Sequence, residues 1–219
     1  MSEEPAPDGA ERNDVVIASD GRTVGRRGTA TRRRMLDATA TLLVSQPLRD
    51  LRVVDIAREV GASPATFYQY FRDVEEAVLV LAAECGEAMA PLADLLRGDW
   101  AELEAARSFV DAFIAVWDQH TAVLRVRNLA AQEGEPRFRD LRRSANRPFV
   151  DGLAEHVRAS QRNGRVDSAL SPIATAAALM SLLERMAAFH VELESMGVGR
   201  DDVVTTCAHI VHQTIDGVG

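Results

Sequence analysis

The chain has 219 residues, 47% of them hydrophobic and 26% charged, with a formal net charge of −8. That length suits one substantial core or a small domain joined to a larger one, and the composition is that of an ordinary soluble globular protein. No uninterrupted apolar run approaches the roughly 20 residues needed to cross a bilayer, and the acidic opening MSEEPAPDGAERND does not read as a signal peptide.

The charge is unevenly spread. Residues 1–20 carry six acids and one Arg, residues 21–80 carry ten Arg and seven acids, and residues 81–219 carry fourteen Arg and twenty acids. Six of those ten arginines fall in GRTVGRRGTATRRR (21–34), which contains no acid. A locally basic segment on an acidic body can still dock on phosphate, because salt screens distant charges within about 10 Å. The two cysteines, Cys85 and Cys207, lie far apart among apolar helical neighbours. They read as buried thiols in a reducing cytoplasm, with no disulfide framework.

Residues 1–25 lack apolar periodicity and are rich in Asp, Glu, Gly and Pro, the composition of a disordered arm. Beyond them the period is helical throughout, which predicts an all-α protein. Met35, Leu36, Thr39, Leu42 and Leu43 mark a first helix ending near Gln46-Pro47. Val53, Ile56, Ala57 and Val60 mark a short second one stopped by Gly61, and Ser63 caps a third with Pro64 in its first position. A longer fourth helix runs from Val74 to about Pro91. Asp99 with Glu102 resembles a capping box opening a helix to about Asp118, and Thr121 starts another to about Gln132. Pro136 opens a long helix, kinked at Pro148, that stops at Asn163-Gly164. Ser171-Pro172 opens the next, to Met196, and the last runs from about Asp201 to Asp216. The spacing thus predicts a three-helix head followed by a six-helix bundle.

The stretch GASPATFYQYF (61–71) holds both tyrosines of the chain. A short helix, a tight turn at Gly61-Ala62-Ser63 and a second short helix form a helix-turn-helix pattern over about 52–71. On a helical wheel Phe67 and Phe71 point inward. The opposite face presents Ala65, Gln69 and Arg72, with Thr66, Tyr68 and Tyr70 at its shoulders. Such a face suits a major groove. Ala65 permits close approach, Gln69 can bond adenine through two edges, and the Thr66 methyl can meet a thymine methyl. Tyr68, Tyr70 and Arg72 have the reach to hold phosphate, as do Arg52 at the start of the second helix and Arg33 and Arg34 in the basic stretch.

Residues 32–81 resemble the DNA-binding domain of the tetracycline-repressor (TetR) family, through MLDA, the VxDIAxxxG pattern and SPATFYQYF taken as a set. The resemblance implies a DNA-binding head over 26–80 and, over 81–219, a variable helical body that dimerises and binds a small effector. It also implies DNA contacts at Arg52, Thr66, Tyr68, Gln69 and Tyr70. Three positions depart from the pattern. Pro47 stands where the family usually has Gly, Leu51 where a Thr or Ser usually starts the helix, and Val74 where a Lys often touches phosphate. Asp50 and Arg72 are the expected substitutes, as cap and as phosphate contact.

In the body, the helix from Pro172 to Met196 is apolar on nearly every side, and the last helix repeats the theme. Leu179, Leu182 and Met186 with Val204, Cys207, Ile210 and Val211 are therefore expected at a two-fold, four-helix dimer contact. Two heads would then read half-sites of a palindromic operator. Phe109, Phe113 and Trp117, four apart, suit either core packing or the wall of an apolar ligand cavity. Leu124, Met180, Leu183, Met186 and Phe189 would supply the other walls, with His120, Asn128, Asn146, Glu184 and His190 as polar anchors.

Enzyme classes find little here. No Glu-x-x-His pairs, Gly-rich phosphate loop or G-x-S-x-G nucleophile motif occurs, and no cofactor is implied. His209 and His212, with Asp216 four beyond, would be a metal site of very low specificity. The expected function is a cytoplasmic, homodimeric repressor that a small, largely apolar ligand releases from double-stranded DNA, with no membrane role. The alternatives are a ligand-independent repressor, or a helical adaptor that keeps only the fold.

Overall fold

The computed structural model describes residues 25–98, 100 and 102–217, among which lie nine α-helices and no strand. The expected disordered arm falls almost wholly on residues 1–24, outside the described residues.

Helix α1 (Arg26–Ser45) carries most of the arginine-rich stretch in its first turns and buries Met35, Leu36, Ala38, Thr39 and Leu43. A 3-10 turn (Leu48–Asp50) leads to α2 (Val53–Glu59) and then α3 (Pro64–Tyr68). The expected cap at Asp50 does not form. Arg52 is the N-cap residue of α2 and gives it no side-chain cap, while Leu51 turns into the core. Leu51 and buried Ile56 hold the N′ and N4 positions of a hydrophobic staple, so apolar packing fixes the entry of the chain in place of a hydroxyl.

The turn between α2 and α3 is closed at both ends. Ala62 N–H donates to Ala57 O (2.8 Å) and Gly61 N–H to Arg58 O (3.1 Å), the paired bonds of a Schellman motif. The motif needs a left-handed residue, and Gly61 supplies it with φ of 66°. Ser63 Oγ then accepts from Thr66 N–H (3.2 Å), with Pro64 in the first helical position. Helix α4 (Val74–Met89) starts the same way, Asp73 accepting from Glu76 N–H at 2.7 Å.

The body comprises α5 (Leu92–Leu95), α6 (Leu103–Gln132), α7 (Pro136–Arg162), α8 (Pro172–Glu194) and α9 (Arg200–Asp216). The helices expected over 99–118 and 121–132 form the single run α6, broken only at His120 (φ −125°, ψ 15°). Thr121 does not cap a new start; its hydroxyl donates back to Trp117 O at 2.7 Å, inside the preceding turn. The run begins at Leu103 after Glu102, which makes no side-chain cap, and Asp99 lies outside the described residues. Pro148 sits inside α7 without ending it.

The short α5 was not foreseen. It tucks Leu96 against α7 at Gly152, where an added Cβ would meet Leu96 Cβ at 2.9 Å. Trp100 Nε1 donates to Leu95 O (3.0 Å), and His156 Nε2 lies 2.7 Å from Leu96 O. Behind this corner Trp100, Phe109, Phe113 and Phe149 stack as one aromatic core with centroids 5.5–6.2 Å apart. At the other side Arg200 joins α9 to α6, bonding Asp111 Oδ1 (2.6 Å) and Asp118 Oδ2 (3.3 Å).

Candidate nucleic-acid interface and ligand cleft

Helix α3 has two sharply different sides. Phe67 and Phe71 are buried, their centroids 5.2 Å apart, and the Arg32 guanidinium lies 5.1 Å from the Phe71 ring. Ala65, Gln69 and Arg72 are exposed, and Tyr68 keeps 52% of its surface in solvent. The regular helix ends at Tyr68, so Gln69, Tyr70 and Arg72 lie on the tightened turn that follows. Gln69 still holds right-handed helical dihedrals, and Phe71 N–H reaches Phe67 O at 3.0 Å. Thr66 is half-buried with its hydroxyl 2.9 Å from Ser63 Oγ, which turns the oxygen toward the cap. Tyr70 leans on the core and is less open than Tyr68.

The arginines divide into two groups. Arg52 and Arg72 remain largely exposed, pairing locally with Asp55 (3.4 Å) and Glu76 (3.2 Å). Arg33 and Arg34 are tied into the fold instead. Arg33 bridges Asp37 (2.8 Å) and Glu84 of α4 (2.7 Å). Burial works against its charge, but the hydrogen bonds and the nearby carboxylates outweigh that and raise its pKa. Arg34 donates to Val60 O (2.5 Å) at the end of α2. In the acid-free basic stretch 21–34 both were expected as phosphate contacts. The helical wrap of α1 against α2 and α4 gives them structural work.

A broad open cleft of about 1890 Å³, with no residue of α2 or α3 in its wall, is lined by the end of α1, the 3-10 turn and α4 together with α6, α7 and α8. Of the residues expected to wall a cavity, Trp117, Asn128 and Phe189 line this cleft. Phe109, Phe113, Leu124, Met180 and Leu183 are buried in the core, off the cleft wall, because the first two fill the aromatic corner described above.

The polar anchors resolve unevenly. His120 lines the cleft at the break in α6, and His190 is buried with Nε2 2.6 Å from Asp118 Oδ1. Asn128, Asn146 and Glu184 meet. Glu184, 5% exposed, accepts from Asn146 Nδ2 (3.1 Å), from Asn128 Nδ2 (3.4 Å) and from Arg127 Nη2 (3.0 Å) through Oε1. Arg142 Nη2 donates to its Oε2. Arg127 is wholly buried, and desolvation lowers its pKa while Glu184 opposes the shift. Sequence reading missed both arginines. The only local signal was that Arg142 and Asn146 stand four apart, on one face of α7. Nearby Cys85 is pushed up to about 11 by burial, so its thiol stays protonated, and Cys207 is raised for the same reason.

The expected dimer residues also divide. Leu179, Val204, Cys207 and Val211 are buried within their own chain, so a second chain cannot reach them on this surface. Leu182 and Met186 are half-buried and Ile210 is 39% exposed; these three remain on the outer side of α8 and α9. His209 is exposed, and Asp216 is paired with Arg165 at 2.9 Å.

A capped helix-turn-helix with an exposed second helix, set on an all-helical body with a cleft between them, defines a class: DNA-binding transcriptional regulators. Residues 35–79 match the family model of bacterial regulatory proteins of the tetR family, and residues 96–218 match that of the tetracyclin repressor-like C-terminal domain. The chain belongs to the tetR family. It is 30% identical over 132 residues to an uncharacterized HTH-type transcriptional regulator of Haemophilus influenzae, an alignment covering 58% of this chain and 63% of that one. Its fold is similar to that of the transcriptional regulator FadR from Bacillus subtilis, solved with stearoyl-CoA (TM-score 0.63, 12% identity, 85% of this chain and 99% of that chain). It is equally similar to PfmR from Thermus thermophilus (TM-score 0.63, 18% identity, 85% and 99%).

Proposed function

We propose that this chain is a homodimeric repressor that grips a palindromic operator through the exposed side of α3 and lets go when a small, largely apolar molecule enters the body. The observation that carries this reading is the two-sidedness of α3 and the residues that follow it: Phe67 and Phe71 buried behind, Ala65, Gln69 and Arg72 exposed in front. Gln69 reads a base edge, and Tyr68, Arg52 and Arg72 hold phosphate. Thr66 offers its methyl, since its hydroxyl is engaged with Ser63. Tyr70 contributes from the side. Arg33 and Arg34 act by holding α1 against α2 and α4.

The dimer is supported by α8. Ile173 and Val191 are exposed along it and Leu182 and Met186 only half-buried, apolar surface that its own chain leaves uncovered. A second copy packed on Leu182, Met186 and Ile210 would cover it. Glu184, in the middle of α8, is bonded to α6 and α7, which suits a bundle helix in a cytoplasmic protein and gives no role to a membrane. Effector control is supported by the cleft, which touches the head on one side and the body on the other. A ligand there changes DNA affinity only if it favours one setting of the heads. The test is a mobility-shift titration of the full chain on the DNA upstream of its own gene. Sequence-selective retardation at low salt is expected, and equal binding to scrambled DNA overturns the reading.

A further inference from the structure

We propose that Arg127, Arg142 and Trp117 anchor the acidic head of an amphipathic effector, a carboxylate whose apolar tail lies in the cleft between head and body. The site presupposes the effector-binding body proposed above. Its first support is charge. Two guanidinium groups share one carboxylate, Glu184, and Arg127 and Glu184 are 0% and 5% exposed. Asn128 and Asn146 are neutral and the Cys85 thiol stays protonated, so none of them balances the remaining positive charge. Arg127 is wholly buried and Arg142 is 32% exposed, so the pair shares one carboxylate and keeps one positive charge at the edge of the cleft that a monoanion would balance.

The second support is a surplus of donors. Arg127 Nη1, Arg142 Nε and Trp117 Nε1 are buried and find no hydrogen-bond partner among the described residues. All three are donors only, so the complement they lack is an acceptor-rich group. Guanidinium groups match the two oxygens of a carboxylate in a way that a hydroxyl cannot. Trp117, Arg142 and Glu184 line the cleft, and Arg127, wholly buried and off the cleft wall, is tied to the same place through Glu184, the carboxylate it shares with Arg142. The third support is the rest of that wall: Leu43 and Pro47 from the head, Val123, Phe138 and Phe189 from the body. A tail along them bridges the two parts that must move relative to each other for DNA to be released.

The test uses the full-length protein and two probes of equal length, decanoate and 1-decanol, titrated calorimetrically. Decanoate should bind at least about tenfold more tightly than 1-decanol, the loss expected when a charge-assisted hydrogen bond is absent. Arg142→Met should abolish that preference and leave 1-decanol binding unchanged. Asn146→Asp, which adds a negative charge beside Glu184 without shortening a side chain, should abolish it too. Equal affinities in the wild-type protein, no decanoate binding, or a preference that survives in either folded variant would overturn the assignment. DNA retardation measured on the same preparations separates the two readings. Retardation without a decanoate preference removes only the anchoring site, whereas a decanoate preference without retardation removes only the regulator.

Discussion

The head and the body of this molecule solve opposite problems with the same kind of element. In the head, each feature that matters is made by neighbours in the chain: Gly61 closes α2, Ser63 opens α3, and Phe67 and Phe71 turn α3 so that Gln69 faces out. In the body, the features that matter are made by residues far apart. Arg127 of α6, Arg142 of α7 and Glu184 of α8 meet only when three long helices pack. The head spends its polar groups on the outside, where a phosphate or a base edge can meet them. The body hides three donors without acceptors beside a cleft. The proposed reading surface is thus assembled within the head, whereas the proposed ligand site is short of acceptors.

Changes in each part should separate them. The largest effect is expected for Phe67→Ala. Its ring is fully buried behind α3, so truncation should cost about 3–5 kcal/mol in urea unfolding and remove DNA binding, because Phe67 is the one buried residue of α3. A stable, DNA-binding variant would mean that α3 is braced from elsewhere. Gly152→Ala comes next. Its Cβ would fall 2.9 Å from Leu96, and the overpacking should cost about 1–3 kcal/mol in the melting of the body. Operator affinity at a temperature where both proteins are folded should stay unchanged, and a loss there would show that the corner around α5 communicates with the head. Arg52→Ala should have the smallest effect. It should weaken binding by a similar factor on every DNA sequence and lower the slope of log affinity against log salt by about one. An unchanged slope would remove Arg52 from the phosphate contacts.

The same contrast explains what the sequence makes legible. The caps, the turn and the inward phenylalanines follow from i, i+3 and i, i+4 rules, which local residues settle. The stripe Phe109, Phe113, Trp117 obeys those rules equally well as core and as cavity wall. Only the packing of Phe149 and Trp100 assigns the first two to the core and leaves Trp117 on the cleft. At His120, the residues that suggest a helix end and a new start produce a break inside one run, across which the Thr121 hydroxyl donates back to Trp117 O. Leu179, Val204, Cys207 and Val211 are apolar at helical spacing, and spacing does not say which of two apolar faces turns inward. Arg33 and Arg34 look like arm residues until α1 is seen to begin at Arg26, which brings them within reach of Glu84 and Val60.

In the proposed complex the amide of Gln69 reads one base pair. Selection of randomised operators by the wild-type protein and by Gln69→Ala tests it most directly. The variant should lose about 1–3 kcal/mol at a single operator position and become indifferent to the base there, with preferences elsewhere intact. An equal loss on all sequences, with every preference kept, would contradict it.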